Sequence, residues 1–155
     1  MKAWRIDRRK WIDPTPLNGE GARLVGGRWN STGRSFVYCS ASVSLAIQEV
    51  LVHLHPDEIP EDYLLLEFVI PDGVAEHAFL FEPRTGWKPE FPSEQECKRL
   101  GNEWYDKRKT ALLRVQSFVV PEEHNLIVHA EHPDAARIRG RIVRPFALDA
   151  RLIKS

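Results

Sequence analysis

The chain has 155 residues, of which 43% are hydrophobic and 28% charged, and its 22 basic side chains balance its 22 acidic ones. This composition predicts one globular domain over residues 1–155 and excludes a disordered or fibrous chain. A formal net charge of zero argues against binding to nucleic acid by bulk charge alone, since phosphate contacts need an excess of Lys and Arg. A local basic cluster does occur late in the sequence, at Arg137, Arg139, Arg141 and Arg144.

The cysteine content and the apolar runs predict a cytoplasmic protein. The chain has two cysteines, too few for the disulfide framework typical of small secreted domains, and Cys39 lies in an apolar run that indicates a buried thiol. The first residues become polar too early for a signal peptide, and no apolar run approaches the roughly 20 residues of a membrane helix. We therefore expect no contact with a membrane.

The first third of the chain alternates predicted strands with loops. Residues 3–6 are predicted as the first strand, and residues 13–19 form a loop with two prolines and an Asn-Gly turn signal. Residues 21–33 contain four glycines and are expected to stay irregular. Residues 35–39 are rich in β-branched and aromatic side chains, which predicts a second strand.

Residues 42–53 show the clearest helical pattern in the chain. Ser42 is a suitable N-cap, and Pro56 marks the end of the pattern. The apolar residues follow the i, i+3, i+4, i+7 spacing of one helix face: Val43, Ala46, Ile47, Val50, Leu51 and Leu54.

The rest of the chain is predicted as short strands and one more helix. Residues 63–70 read as a central strand, followed by a loop rich in Pro and Trp that runs to Pro92. Residues 93–107 form a second helix, with Ser93 as N-cap and Glu96 completing a capping box. Further short strands are predicted at residues 111–115, 118–120, 125–128 and 145–148. Because strands and helices do not alternate regularly, the fold class is predicted as α+β.

Glu49 lies in the middle of the first long helix, which is apolar nearly all round. Leu45 and Val52 add apolar groups opposite the main apolar face, so the helix is expected to be largely buried. A carboxylate in such a helix is costly unless it is paired or hydrogen-bonded. The alternative is that Glu49 lies on a narrow solvated strip together with Gln48.

The glycine-rich segment before the second strand could approach a ligand closely, because glycine tolerates positive φ. Within it, Arg28 offers a planar fork of donors for a phosphate, and Trp29 offers a flat face. Asn30 and Ser31 offer small polar groups. The alternative is an ordinary polar turn, since the segment matches neither a G-x-G-x-x-G fingerprint nor a P-loop.

Other candidate residues carry weaker signals. Tyr38 lies in the predicted second strand, where a tyrosine commonly packs with its hydroxyl satisfied. Ser117 lacks a G-x-S-x-G context and reads as a strand-end hydroxyl. The remaining aromatic side chains with a large surface more commonly fill a core than stack on a ligand: Trp4, Trp11, Trp87 and Trp104.

The six histidines do not form a recognisable metal site. His53 and His55 lie two residues apart, and His124, His129 and His132 lie near one another in sequence. No H-E-x-x-H and no Cys-His ligand pattern is present. We therefore expect no metal.

Taken in order, three runs resemble the RES-domain family: residues 24–33, residues 37–38 and residues 46–54. The family is named for an Arg, a Glu and a Ser, which correspond to Arg28, Glu49 and Ser117. Further similar segments are residues 63–67, 100–104, 113–117, 119–123, 132–134 and 144–146, so the resemblance covers nearly the whole chain.

The resemblance implies a bacterial toxin of a toxin–antitoxin pair with a core similar to ADP-ribosyltransferases. Such toxins deplete NAD⁺ by phosphorolysis or hydrolysis at the nicotinamide ribose, which makes NAD⁺ a substrate, inorganic phosphate a co-substrate in phosphorolysis, and no cofactor necessary. The implied partner is an antitoxin with an Xre-type helix-turn-helix that covers the cleft. DNA would then be contacted only indirectly, through the antitoxin.

Two positions depart from the family pattern. Family members often have Trp at the position of His124 and Asn-Pro at the positions of His129 and Ala130. Since these residues follow Ser117, we expect them to line the same cleft and to alter the shape of its wall.

The chemistry of the implied reaction assigns provisional roles. Bond cleavage develops positive charge on the ribose, which a carboxylate stabilises. The expected catalytic residues are Arg28, Tyr38 and Glu49, and the expected substrate-binding residues are Arg5, Trp29, Asn30 and Ser117. Two alternatives stay open: an ADP-ribosyltransferase that uses the same cleft to modify a protein, and a non-enzymatic module that binds an antitoxin.

Overall fold

The computed structural model describes residues 1–55, 59–81 and 92–153, and the described part is an α+β fold, as predicted. Its strands are β1 (Lys2–Arg8), β2 (Phe36–Ser40), β3 (Tyr63–Val69), β4 (Phe79–Phe81), β5 (Leu112–Gln116), β6 (His124–His129) and β7 (Arg139–Pro145). Its α-helices are α1 (Glu20–Val25), α2 (Val43–Leu51), α3 (Asp72–Ala75) and α4 (Glu94–Lys107). No helix in the described ranges is long and apolar enough to cross a membrane.

The strands form one seven-stranded sheet in the order β4-β5-β6-β2-β1-β3-β7. Only β4 and β5 run parallel, and the other neighbours are antiparallel. β1 pairs with β3 along its whole length, from Lys2↔Val69 to Arg8↔Tyr63. β1 and β2, in contrast, pair at the single position Trp4↔Ser40. The sheet therefore opens between these two strands.

The core lies on both faces of the sheet. Leu64, Leu66 and Phe68 of β3 join one buried cluster, whereas Leu65 joins another with Ile6 and Ala46. This division follows from the alternation of side chains along a strand. Both cysteines are buried free thiols, which confirms the expectation for Cys39.

The two main helices begin where the sequence predicts. The Ser42 hydroxyl accepts a hydrogen bond from the amide of Leu45 at 3.1 Å and caps α2. The Ser93 hydroxyl accepts one from the amide of Glu96 at 3.2 Å and caps α4. α2 ends at Leu51, two residues before the predicted end.

Four predictions of secondary structure are wrong. Residues 20–25 are helical rather than irregular: the Asn18 side chain accepts a hydrogen bond from the amide of Glu20 at 2.8 Å, before the first turn. The basic cluster at residues 137–144 contains a strand, β7, which forms an exposed edge and ends at Pro145, where the last strand was expected to begin. The segment at residues 118–120 is not a strand. The predicted Pro- and Trp-rich loop contains the short helix α3 and the strand β4. The prediction for residues 82–91, including Trp87, lies outside the described residues.

α4 packs directly against the glycine-rich segment through Gly101. A methyl group added at Gly101 would lie 1.9 Å from the carbonyl oxygen of Trp29. The close approach of helix and loop therefore needs a residue without a side chain at this position.

We predict that Gly101→Ala lowers the free energy of unfolding by about 3 kcal/mol or more, because helix and loop must separate to admit the methyl group. Denaturant unfolding measures the loss. Gly73→Ala is the matched control, since its methyl group would meet only the end of the Arg137 side chain at 3.4 Å. Stability of Gly101→Ala within about 0.5 kcal/mol of the parent chain would contradict this packing.

Candidate functional site

A cleft of about 790 Å³ opens where β1 and β2 separate. α2 supplies Ala46, Glu49 and Val50 to its wall, His53 follows from the turn after α2, and the segment around Arg28 also lines the cleft. The volume is that of a typical small-molecule site.

Glu49 turns into the cleft from the middle of α2. Its Oε1 accepts hydrogen bonds from the Ser117 hydroxyl at 2.8 Å and from the Asn125 amide at 2.6 Å. Both donors bond to Oε1, and no donor among the described residues bonds to Oε2, which leaves that oxygen for a ligand. Gln48 is exposed whereas Glu49 is half-buried, so the solvated-strip alternative does not describe this carboxylate.

Ser117 is completely buried and contacts Glu49 rather than the cleft. Its hydroxyl oxygen also accepts hydrogen bonds from the amides of Val119 at 3.1 Å and Val120 at 3.0 Å. These bonds fold the chain into a turn, which is why residues 118–120 do not form the predicted strand. The expected direct contact between Ser117 and a ligand is replaced by a contact that orients Glu49.

Tyr38 holds the glycine-rich segment in place. Its hydroxyl donates to Oδ1 of Asn30 at 2.6 Å and accepts from the amide of Trp29 at 3.1 Å. Gly27 permits this approach, because a methyl group there would lie 2.7 Å from the Tyr38 oxygen. Burial raises the pKa of Tyr38, so its hydroxyl stays protonated and serves as a neutral donor.

Asn30 and Trp29, which were expected to contact a ligand, are almost completely buried. Asn30 is 0% exposed, and its amide nitrogen donates to the carbonyls of Ala22 at 2.9 Å and Ser31 at 3.0 Å. Trp29 is 4% exposed and packs edge-on against Phe81, with ring centroids 5.4 Å apart. Asn30 therefore supports Tyr38 from inside, and Trp29 adds a small part of its surface to the cleft wall.

The two candidate arginines differ in their surroundings. The exposed Arg28 guanidinium lies 4.2 Å from the centre of the Phe118 ring, and no carboxylate within residues 1–55, 59–81 and 92–153 forms an ion pair with it. Arg5 pairs with Asp7 and also donates to the carbonyl of Tyr38 at 3.4 Å. Arg5 thus bridges the gap between β1 and β2, while Arg28 is available to an anion.

Several cleft residues were missed by sequence reasoning. The wall also includes Trp4, Trp11, His53, Phe118 and Asn125. His53 had a detectable signal, because it follows Glu49 by four residues and so shares the face of the helix predicted over residues 42–53. Asn125 had none, since its neighbours in space come from β2 and α2.

The expectation that His124 and His129 line the cleft is wrong. His124 lies at a separate small cavity with Met1 and Arg114. His129 is completely buried, with its ring stacked on Tyr105 at 3.7 Å. Burial and the nearby Arg108 charge lower the pKa of His129 to about 4, so it is a neutral core residue at pH 7.

Metal ligands do not gather in the part of the chain that the structure describes. No group of three or more His, Cys, Asp or Glu side chains there could hold a metal ion.

Comparison with known proteins identifies similar sequences and a similar fold. A model of the RES domain matches residues 2–149. The chain is 39% identical over 156 residues to the Prs ADP-ribosylating toxin of Sphingobium sp. (strain YBL2), covering 97% of this chain and 96% of that protein. It is 35% identical over 156 residues to Toxin Res of Photorhabdus laumondii, covering 100% and 99%. A chain of the M. tuberculosis MbcT–MbcA toxin–antitoxin complex has a similar fold, with a TM-score of 0.67 at 16% identity over 93% of this chain and 84% of that one.

We predict that Tyr38→Phe lowers the free energy of unfolding by about 1–3 kcal/mol, because Asn30 and the Trp29 amide lose a buried partner. Denaturant unfolding measures the change. Tyr63→Phe is the control, since Tyr63 also lines the cleft but its hydroxyl has no hydrogen-bond partner among the described residues. Equal stability of the two variants would show that the Tyr38 hydroxyl does not hold the segment.

Proposed function

The chain belongs to the RES-domain family of toxins, and we propose that it cleaves the nicotinamide–ribose bond of NAD⁺ in the cytoplasm. The observation that carries the proposal is the Glu49 carboxylate, which is fixed through Oε1 by Ser117 and Asn125 and faces a cleft of about 790 Å³. The rigid helix α2 holds this carboxylate before any ligand arrives.

A carboxylate in this setting suits glycosidic cleavage. When the bond between C1′ of the ribose and nicotinamide breaks, nicotinamide leaves as a neutral molecule and positive charge develops on the sugar. A negative charge aimed at the sugar from a preorganised, partly desolvated site stabilises that state. We assign this role to Glu49, whose Oε2 would also accept a hydrogen bond from a ribose hydroxyl.

The cleft also offers groups for the negatively charged part of NAD⁺. Arg28, which lacks an ion pair among the described residues, is the proposed contact for the pyrophosphate, since a guanidinium donates two parallel hydrogen bonds to phosphate oxygens. Arg5 lies deeper and is held by Asp7. Its proposed role is to keep the two strands at a fixed separation and to add positive charge beside the ligand.

The proposed acceptor is inorganic phosphate. A phosphate oxygen forms a bond to the same anomeric carbon, which is C1″ in ADP-ribose numbering, as nicotinamide departs, giving ADP-ribose-1″-phosphate. The second candidate is transfer of ADP-ribose to a protein, which is favoured by the name of the Sphingobium relative at 39% identity, an ADP-ribosylating toxin. Both reactions break the same bond and need the same carboxylate.

An antitoxin is the proposed protein partner. A structure of similar fold was solved as a toxin–antitoxin complex, and relatives along the whole chain are named toxins. Because an unrestrained NAD⁺-consuming enzyme would harm its own cell, the partner is expected to cover the cleft. We propose an antitoxin with an Xre-type helix-turn-helix, through which DNA would be contacted indirectly.

We predict that Glu49→Gln lowers the rate of nicotinamide release from NAD⁺ by on the order of 10²–10³-fold, because the amide carries no charge to stabilise the sugar. The isosteric change should leave the unfolding midpoint close to that of the parent chain. Glu76→Gln, at an exposed position after α3, is the control and should keep full activity. Full activity of folded Glu49→Gln would remove the proposed mechanism.

The acceptor is identified by incubating the antitoxin-free protein with NAD⁺, with and without inorganic phosphate, and following the products by mass spectrometry. We expect nicotinamide release that depends on phosphate, together with ADP-ribose-1″-phosphate. Release of free ADP-ribose without phosphate would instead identify a glycohydrolase. ADP-ribose attached to an added bacterial protein would identify the transferase. No nicotinamide release under any condition would contradict the proposal as a whole.

A further inference from the structure

We infer that Asn125, with Ser40 behind it, is a positioning residue for Glu49, an inference that rests on the proposed function. The Asn125 amide nitrogen donates to Oε1 of Glu49 at 2.6 Å, and its Oδ1 accepts from the Ser40 hydroxyl at 2.9 Å. Asn125 and Ser40 are also directly paired across β6 and β2. The side chain is therefore held at both ends by groups of opposite hydrogen-bonding character.

The Ser40 contact fixes which way the Asn125 amide points. An ionised carboxylate can only accept hydrogen bonds, so it must face the NH₂ group of an asparagine. Ser40 is only 5% exposed, and its hydroxyl donates to Oδ1 of Asn125. A flipped amide would lose this hydrogen bond and is therefore disfavoured. The donor that faces Glu49 is thus set before a ligand binds.

Two donors from different segments of the chain hold the carboxylate more firmly than one. Ser117 follows β5 and Asn125 lies in β6, and both reach the same oxygen of Glu49. With Oε1 held from two directions and the side chain anchored in α2, the plane of the carboxylate has little freedom. Oε2 is consequently kept pointing at the cleft, where the reacting sugar would lie.

The chemical nature of the donor also matters. An amide and a hydroxyl are neutral, so they orient Glu49 without cancelling its charge. A lysine or arginine in place of Asn125 would form a stronger hydrogen bond, but it would reduce the negative charge that the developing cation needs.

The kinetic test compares Asn125→Ala and Ser40→Ala with the parent chain. Asn125→Ala should lower kcat for nicotinamide release by about 10- to 100-fold, as expected for a lost hydrogen bond to a charged group, with KM changed less than about twofold. Ser40→Ala should show a smaller loss of kcat. A loss confined to KM would overturn the inference, because it would make Asn125 a substrate contact.

Asn125→Asp provides a second test, because a residue with a merely structural role would not make the activity depend on pH. At low pH the new carboxyl group is protonated and can donate to Glu49, which reproduces the hydrogen bond and the net charge of the parent chain. At high pH two carboxylates face each other and repel. The activity of Asn125→Asp relative to the parent should therefore fall as pH rises from about 5 to about 8, whereas the deficit of Asn125→Ala should not change.

The matched control is Asn102→Asp, because Asn102 bonds to Ser31 rather than to a carboxylate. It should show no pH-dependent loss of activity relative to the parent. An equal loss for Asn125→Asp and Asn125→Ala at every pH would overturn the inference.

A measurement without substrate separates this inference from the proposed function. The unfolding midpoint of Asn125→Asp should fall relative to the parent as pH rises, and this pH-dependent loss should disappear in the Glu49→Gln background. If the parent chain does not cleave NAD⁺, the proposed function fails. The dependence of the Asn125→Asp effect on Glu49 still tests whether these two side chains are paired. Absence of that coupling would overturn the inference whatever the activity.

Discussion

The cleft exists because β1 and β2 pair at a single position, Trp4 and Ser40. Beyond that position the two strands separate, and each is held by its other neighbour, β3 for β1 and β6 for β2. Neither strand can swing across without breaking a continuous ladder. Arg5 spans the opening by donating to the carbonyl of Tyr38, so a polar side chain replaces missing backbone pairing and the gap remains open to a ligand.

The same opening explains how Glu49 can lie in an apolar helix. α2 packs over β1 through Ala46 and its neighbours, which places Glu49 at the edge of the gap instead of inside the core. The carboxylate then needs partners, and the ends of β5 and β6 supply Ser117 and Asn125. Partial burial makes the Glu49 charge costly. The same burial brings the neutral donors close enough to hold the carboxylate in place.

The sequence was sufficient to predict features that depend on local patterns and not those that depend on long-range pairing. The start of α2 followed from Ser42 and the spacing of apolar residues, and the same logic worked for Ser93 at α4. α1 was missed because glycines dominate residues 21–33, whereas the Asn18 side chain that accepts a hydrogen bond from the Glu20 amide lies outside that segment. β7 was missed because its arginines suggested a surface patch, and only pairing with β3 makes them a strand. The same distinction holds for the site. The family resemblance identified Arg28, Glu49 and Ser117 as candidates. The buried positions of Ser117 and Asn30 depend on contacts between distant segments and could not be predicted.

The charges around the cleft reconcile a chain of zero net charge with the anionic ligand that we propose. Among the described residues, three cations of the wall are already paired: Arg5 with Asp7, Arg8 with Asp62, and Lys98 with Glu94. These pairs contribute little net field, so a long-range attraction for polyanions is not expected. Arg28 differs because no carboxylate in the described ranges forms an ion pair with it, and the Phe118 ring beneath it restricts its motion without neutralising it. The Arg28 guanidinium and the fixed Glu49 carboxylate line the same cleft. This pair suits the proposed substrate NAD⁺, which carries a pyrophosphate and develops positive charge on its nicotinamide ribose.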